Sequence, residues 1–220
     1  MSKLNIVFHK ITTNPAGNWE VSPILFRDIF KWCQQNYEDF QIYFDDGYDL
    51  EIISNFYNEI APLSTLAIVT DDIEKNGFFS WEDLSKLSKM GFNIASHSVT
   101  HPSMSVFDQN NIGLVNPSGG IYSNVPRGKQ LLTMIQVKFQ IVESKKVLVE
   151  KGFRIREFVF PYGLYSQQTI NLLNDLGLYD FYATCDNGLD EGVKIISRNL
   201  IHGTKSLKEN IRCLTKIIEK

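Results

Sequence analysis

Apolar residues in this chain fall in short blocks, and longer amphipathic stretches separate them. Leu4 to Phe8, the run ending at Phe44, Ser64 to Val69, Phe92 to Ser96, Arg154 to Phe160 and Tyr179 to Cys185 have strand length. Apolar runs of this kind predict strands buried on both faces, as in a parallel sheet. The stretches between them predict helices. Ser22-Pro23 supplies a cap and a first-turn proline, and Ile24, Leu25, Phe26, Ile29, Phe30 and Cys33 give that helix a wide apolar face. Further helices are expected over Asp49 to Ile60, from the capping box at Ser80 to Met90, over Leu131 to Lys151, and from Ser166 to Leu176. Lys194 to Ser197 reads as a short strand. A last helix follows Ser206, its stripe of Leu207, Ile211, Leu214 and Ile218 serving core packing. Strand and helix alternate with short links, which predicts an α/β fold with a parallel sheet covered by helices, in one domain spanning 1–220. The interval from Ser103 to Gln130 breaks the rhythm and is too long for an ordinary connection; it fits a wall of a substrate groove or a plain surface insertion.

Polar residues of unusual chemistry cluster where three of these strands end. The run Phe40 to Phe44 closes on Asp45-Asp46-Gly47. Neighbouring side chains of an extended chain point to opposite sides, so the two carboxylates are expected to divide their work, one holding a metal and one handling a proton. Gly47 permits a sharp turn beneath them. Phe92 to Ser96 runs into His97-Ser98-Val99-Thr100-His101-Pro102. Two histidines four apart are expected on one side of a single helical turn, a spacing that suits a shared metal. Phe158 to Phe160 closes on Pro161-Tyr162-Gly163, and His9 follows the first strand. Each stretch alone also fits an ordinary loop, and His9 alone also fits a hydrogen-bonded loop histidine. Their shared place at strand ends favours chemistry, because α/β folds build their sites there.

The three stretches in this order resemble the polysaccharide deacetylase family, the NodB-homology domain of carbohydrate esterase family four. Tyr43 to Gly47 matches the family's T-F-D-D-G with tyrosine in place of threonine. His97 to Pro102 matches H-[ST]-x-x-H-P throughout. The third motif, R-x-P-Y, matches in Pro161 and Tyr162, with Val159 at the arginine position; members acting on exopolysaccharide also write it as aromatic-Pro-Tyr-Gly. The resemblance runs from about Asn5 to Arg198. It implies a deformed (β/α) barrel of about seven parallel strands. It also implies a divalent metal, zinc above all, on Asp46, His97 and His101, with Asp45 as general base. The backbone N–H of Tyr162 would hold the oxyanion, and His9, Pro161 and Tyr162 would meet the substrate, an N-acetylated amino sugar in a polysaccharide or its nucleotide- or lipid-linked precursor. Leu200-Ile201-His202 has the form of the family's late L-x-H motif, which makes His202 the expected general acid. With Val159 in the third motif Asp45 needs another cationic partner; Arg198 is the candidate, ahead of Arg154 and Arg156. Two alternatives stay open: another amide hydrolase on this scaffold, such as a deformylase or cyclic-imide hydrolase, and a non-catalytic carbohydrate-binding protein.

Composition adds compartment and partners. A chain of 220 residues with 43% hydrophobic content can bury one substantial core. A net charge of -3, with Lys and Arg scattered, gives no reason to expect nucleic acid. Cys33, Cys185 and Cys213 lie far apart and make no disulfide framework, which fits a reducing interior. The first apolar run is shorter than the 7–15 residues of a signal peptide, and nothing approaches the ~18 apolar residues of a membrane span. The expectation is a soluble, cytoplasmic protein. Within the long loop, Ser118, Gly119 and Gly120 offer backbone N–H groups, with Arg127 and Lys129 nearby, to the phosphate of an activated sugar.

Overall fold

The computed structural model describes residues 3–104, 132–190 and 194–218. The chain order is β1 (Leu4–Phe8), β2 (Lys10–Ile11), β3 (Glu20–Val21), α1 (Pro23–Asn36), β4 (Phe40–Phe44), α2 (Tyr57–Ile60), β5 (Ser64–Ile68), α3 (Trp81–Met90), β6 (Asn93–Ser96), α4 (Met134–Glu150), β7 (Glu157–Val159), α5 (Gln167–Leu176), β8 (Phe181–Ala183), β9 (Ile195–Ile196), β10 (Asn199–Leu200) and α6 (Leu207–Ile218). The expected loop at 103–130, with Ser118, Gly119, Gly120, Arg127 and Lys129, lies outside the described residues beyond Met104. Among the described residues no helix is long and apolar enough to cross a membrane.

Eight strands form one sheet in the order β10-β1-β4-β5-β6-β7-β8-β9, every neighbouring pair parallel. The sheet curls into a deformed (β/α) barrel that stays open between its edge strands β9 and β10. The eighth strand is β10, two residues that pair with β1 and were too short to stand out in the apolar pattern. The chain passes from one edge of the sheet to the other through Ser197 and Arg198 alone. Side chains bridge this seam. Asn5 Nδ2 donates to the Ser197 carbonyl at 3.0 Å, and Asn199 Nδ2 donates to the Asn5 carbonyl at 3.0 Å.

Helix caps follow the expected chemistry. Ser22 caps α1 through the Leu25 N–H, and Ser80 with Asp83 makes the reciprocal capping box of α3. Gly91 ends α3 in the left-handed conformation. One expectation is corrected. Asp49 to Ile60 is not one α-helix: a 3-10 stretch, Glu51–Phe56, kinks at Ile53 and precedes the single turn of α2. The start of this segment is pinned elsewhere, by the Asp49 N–H on the Gly77 carbonyl and by the short Tyr48–Phe78 bridge, with the two rings stacked at 4.7 Å.

Two apolar bodies result. The larger lies between the sheet and the helices. The smaller fills the barrel: Val7, Tyr43, Ala67, Ala95, Val159, Ala183, Ile196 and Leu200. It separates the C-terminal ends of the strands from a polar mouth at the N-terminal ends, a cavity of about 590 Å³ lined by Gln41, Thr65, Asn93 and Glu157 among others. Burial raises the Glu157 carboxyl to about 7, against the pull of Arg198 and Tyr43. A carboxyl held above its ordinary value keeps its proton longer in the folded state. Its stabilising share is therefore complete below about pH 4.5 and is lost as pH rises to about 7. Glu157→Gln should raise stability by about 1–3 kcal/mol at pH 8 and change it little at pH 4.5. Urea unfolding at both values checks this; equal effects at the two would refute it.

Candidate active site

Apart from the weaker candidates Arg154 and Arg156, every expected site residue of the described chain lies at the C-terminal mouth of the barrel or at its seam. β1 delivers His9, β4 delivers Asp45 and Asp46, β6 delivers His97, and β7 delivers Pro161 and Tyr162. β10 delivers His202, and Arg198 precedes it by one residue.

The two aspartates part at the end of β4. The Asp45 N–H still donates to the Phe8 carbonyl, at 2.9 Å, which keeps the residue in the ladder. Asp46 leaves the ladder with φ +72°. Asp45 meets Arg198: Nη1 donates to Oδ1 at 2.7 Å, and both side chains are buried. Arg198 Nε donates to the Thr184 carbonyl at 2.8 Å, and its guanidinium lies over the Tyr43 ring at 4.8 Å. Burial, the largest single effect, would raise the Asp45 carboxyl, but Arg198 together with His97 and His9 holds Asp45 below the usual carboxylate range. Arg198 is itself raised above its ordinary value, Asp45 with Cys185 and Tyr43 overcoming the cost of burial. Arg154 and Arg156 lie at the opposite mouth, where Arg156 pairs with Asp180.

Asp46 meets the histidines. Its Oδ1 lies 3.4 Å from His97 Nε2 and 3.1 Å from His101 Nε2, and the two Nε2 atoms are 3.1 Å apart. Burial opposes the charge on Asp46, yet the two imidazoles hold the carboxyl well below its usual range. His97 Nδ1 donates to the Val159 carbonyl at 2.8 Å, which fixes the tautomer that turns the Nε2 lone pair inward. The residue at the position expected for arginine thus serves the site through its main chain.

The segment from His97 to His101 is not the expected helical turn. Ser98 (φ +72°) and His101 (φ +56°) are left-handed, and the backbone makes a bend. Gln140 of α4 clamps it, its Oε1 accepting from the N–H groups of Val99 and Thr100 at 2.9 and 3.0 Å. Ser98 Oγ accepts the His101 N–H at 3.0 Å. Gln140 carries no motif, and only its contacts expose its part. A glutamine in helical register with Val137, Ile141, Ser144 and Leu148 was the available signal.

Tyr162 takes φ +57° in the turn after β7, and its ring sits 4.5 Å from that of His101. Gly163, at φ +65°, is compulsory: a Cβ there would lie 2.5 Å from Cys185 Cβ and 2.6 Å from the Cys185 nitrogen. Across the mouth, the Trp19 ring lies 5.0 Å from His9 and 6.5 Å from His202. His202 Nδ1 contacts the Asn18 amide at 2.8 Å. Burial lowers both imidazoles, His202 to about 4 with Lys205 and His9 adding to the effect. For His9, Asp46 and Asp45 are among the charges that act against burial; among the described residues the causes at His202 are burial, Lys205 and His9, all lowering.

The family profile described as polysaccharide deacetylase matches residues 36–181, more than half of the chain. The chain belongs to the polysaccharide deacetylase family, hydrolases that act on the amide bonds of N-acetyl sugars. Its fold is similar to that of a polysaccharide deacetylase from Bacillus cereus, at 15% identity and a TM-score of 0.71 over 97% of this chain and 69% of the other. IcaB from Ammonifex degensii gives 14% identity and a TM-score of 0.70 over 97% of each chain. A de-N-acetylase from Aggregatibacter actinomycetemcomitans gives 17% and 0.69, over 97% of this chain and 100% of the other. None of the curated proteins compared matches the chain.

Asp46, His97 and His101 could hold a divalent metal. Their ligand atoms all lie within 4.8 Å of one another, and one carboxylate with two inward-facing imidazoles is a suitable donor set. His97→Ala and His101→Ala should each lower the affinity for divalent metal by at least about 100-fold with the fold kept. Calorimetric titration with Zn²⁺ or Co²⁺, beside circular dichroism, measures both; stoichiometric tight binding by either variant would refute the site.

Proposed function

We propose that this protein removes the N-acetyl group from an amino sugar of a polysaccharide, or of its precursor, in the building of a cell envelope, capsule or O-antigen. The observation that carries the reading is the Asp45–Arg198 pair beside the Asp46, His97 and His101 cluster. Zinc suits these donors best, and when bound it would polarise the acetyl carbonyl and make water a stronger nucleophile. Asp45, kept ionised by Arg198, accepts the proton of the attacking water as general base. The backbone N–H of Tyr162 faces the developing oxyanion, a kind of contact typically worth ~3–4 kcal/mol. Pro161 shapes the same turn. His202 gives its proton to the departing amine, oriented by Asn18 on Nδ1. Because burial favours its neutral form, it takes up that proton only as substrate charge develops nearby. His9 lines the acceptor side against Trp19 and contacts substrate.

A protein that only binds carbohydrate has no need of a buried base with its own arginine, and the ion pair favours an enzyme. Cys33, Cys185 and Cys213 form no disulfide, which supports a reducing, cytoplasmic setting, where the sugar would still be nucleotide- or lipid-linked.

Asp45→Asn should keep metal binding and fold while lowering kcat by at least about 1,000-fold, because the amide still accepts from Arg198 but cannot take a proton. The assay is acetate release from N-acetylated oligosaccharides and from nucleotide- and lipid-linked N-acetyl sugars, with N-formyl and cyclic-imide substrates alongside. Wild-type turnover by the variant removes Asp45 from the chemistry. Release from formyl or imide substrates alone makes the protein a different amide hydrolase.

A further inference from the structure

The barrel interior beneath Asp45 holds one aromatic ring among aliphatic neighbours. Tyr43 is fully buried there with Val7, Ala67, Ala95, Val159, Ala183, Ile196 and Leu200. The Arg198 guanidinium lies over its ring, Cζ 4.8 Å from the centroid. Arg198 itself sits on the two-residue link between the sheet's edge strands, where no strand ladder holds the main chain. Its side-chain direction therefore depends on what the guanidinium touches. Three bonds lie in the guanidinium plane, Nη1 to Asp45, Nε to the Thr184 carbonyl and Nη2 to Cys185 Sγ at 3.6 Å. None of the three resists a tilt out of that plane. A ring face does, because a planar guanidinium stacks on an aromatic surface.

We propose that Tyr43 is a positioning residue: its ring is the shelf that aims the Arg198 guanidinium at Asp45, and the chain needs it because Val159 leaves no arginine to do so from β7. The inference rests on Asp45 being the base, as proposed above. The same geometry links three positions. Val159 belongs to the same close-packed interior cluster as Tyr43, so a long side chain at 159 would compete with the ring for its space. Tyrosine at 43, valine at 159 and arginine at 198 thus form one arrangement, and the tyrosine in place of threonine in the first motif is part of it.

Simple filling of the core is separated from a shelf by keeping bulk while removing the ring. Tyr43→Leu retains an apolar side chain; Tyr43→Phe retains the ring and loses only the hydroxyl. In the acetate-release assay, kcat of Tyr43→Leu is expected to fall about 10- to 100-fold with KM within about threefold of wild type. Tyr43→Phe is expected to restore kcat to within about threefold of wild type. Tyr43→Leu combined with Arg198→Lys should lose no more than Arg198→Lys alone, since the shelf acts only through the guanidinium. Near wild-type kcat in Tyr43→Leu, a Tyr43→Phe enzyme as poor as Tyr43→Leu, or losses that multiply in the double variant would each overturn the proposal. If the wild-type protein releases no acetate from any sugar, the functional reading fails instead. The shelf is then tested without substrate, by urea unfolding of the same proteins at neutral pH. A stability coupling between positions 43 and 198, kept in Phe and absent in Leu, supports it; purely additive losses overturn it.

Discussion

The ion pair between Asp45 and Arg198 is the constraint on which the rest of this site depends. Both charges are out of water, and such a pair holds only if its remaining hydrogen-bonding groups are satisfied. Here the Thr184 carbonyl takes Nε and the Tyr43 ring covers the guanidinium face. The pair also spans the fold. Asp45 ends β4 in the middle of the sheet, whereas Arg198 belongs to the link between the two edges. A charge pair that joins the centre of the sheet to its seam holds the open barrel around the site it serves, and Asn5 and Asn199 complete that closure through the main chain.

A second constraint is backbone strain. Among the described residues, the non-glycine positions with positive φ are Asp46, Glu74, Ser98, His101 and Tyr162. All but Glu74 belong to the site. Such conformations cost of order 1–3 kcal/mol each and persist where surroundings over-determine them. The surroundings are visible: Gln140 clamps the bend that carries Ser98 and His101, and Gly163 against Cys185 fixes the turn that carries Tyr162. Stability from α4 and from close backbone packing is thereby converted into the aim of ligand atoms and of one backbone N–H.

The site is electrically divided. Asp46 faces two imidazoles and Asp45 faces a guanidinium, so adjacent carboxylates experience different partners. Both are kept ionised, one by donors suited to a metal and one by a permanent cation. Across the mouth, His9, Trp19 and His202 form a less polar wall where burial favours neutral imidazoles. This separation of an anionic, metal-suited side from a neutral, aromatic side matches a substrate that is an uncharged amide on a sugar ring.

Much of this was readable in the residues because it is local. Apolar runs and caps gave the parallel α/β order, since a strand buried on both faces has no freedom to be polar. Asp45-Asp46-Gly47, His97-Ser98-Val99-Thr100-His101-Pro102 and Pro161-Tyr162-Gly163 announced the site, because ligands and turn residues must sit at fixed spacing on one strand end. The rest was decided by contacts between distant parts of the chain. The two residues of β10 became a strand only by pairing with β1, and the expected helical turn at His97 became a bend because Gln140, remote in sequence, took its N–H groups. That Arg198 rather than Arg154 or Arg156 meets Asp45 follows from which mouth of the barrel each faces, a matter of strand direction and closure that no spacing encodes. The motifs name the groups that stand at the strand ends. Contacts between distant segments select which of them touch, because a buried charge takes the partner that the packing around it leaves within reach.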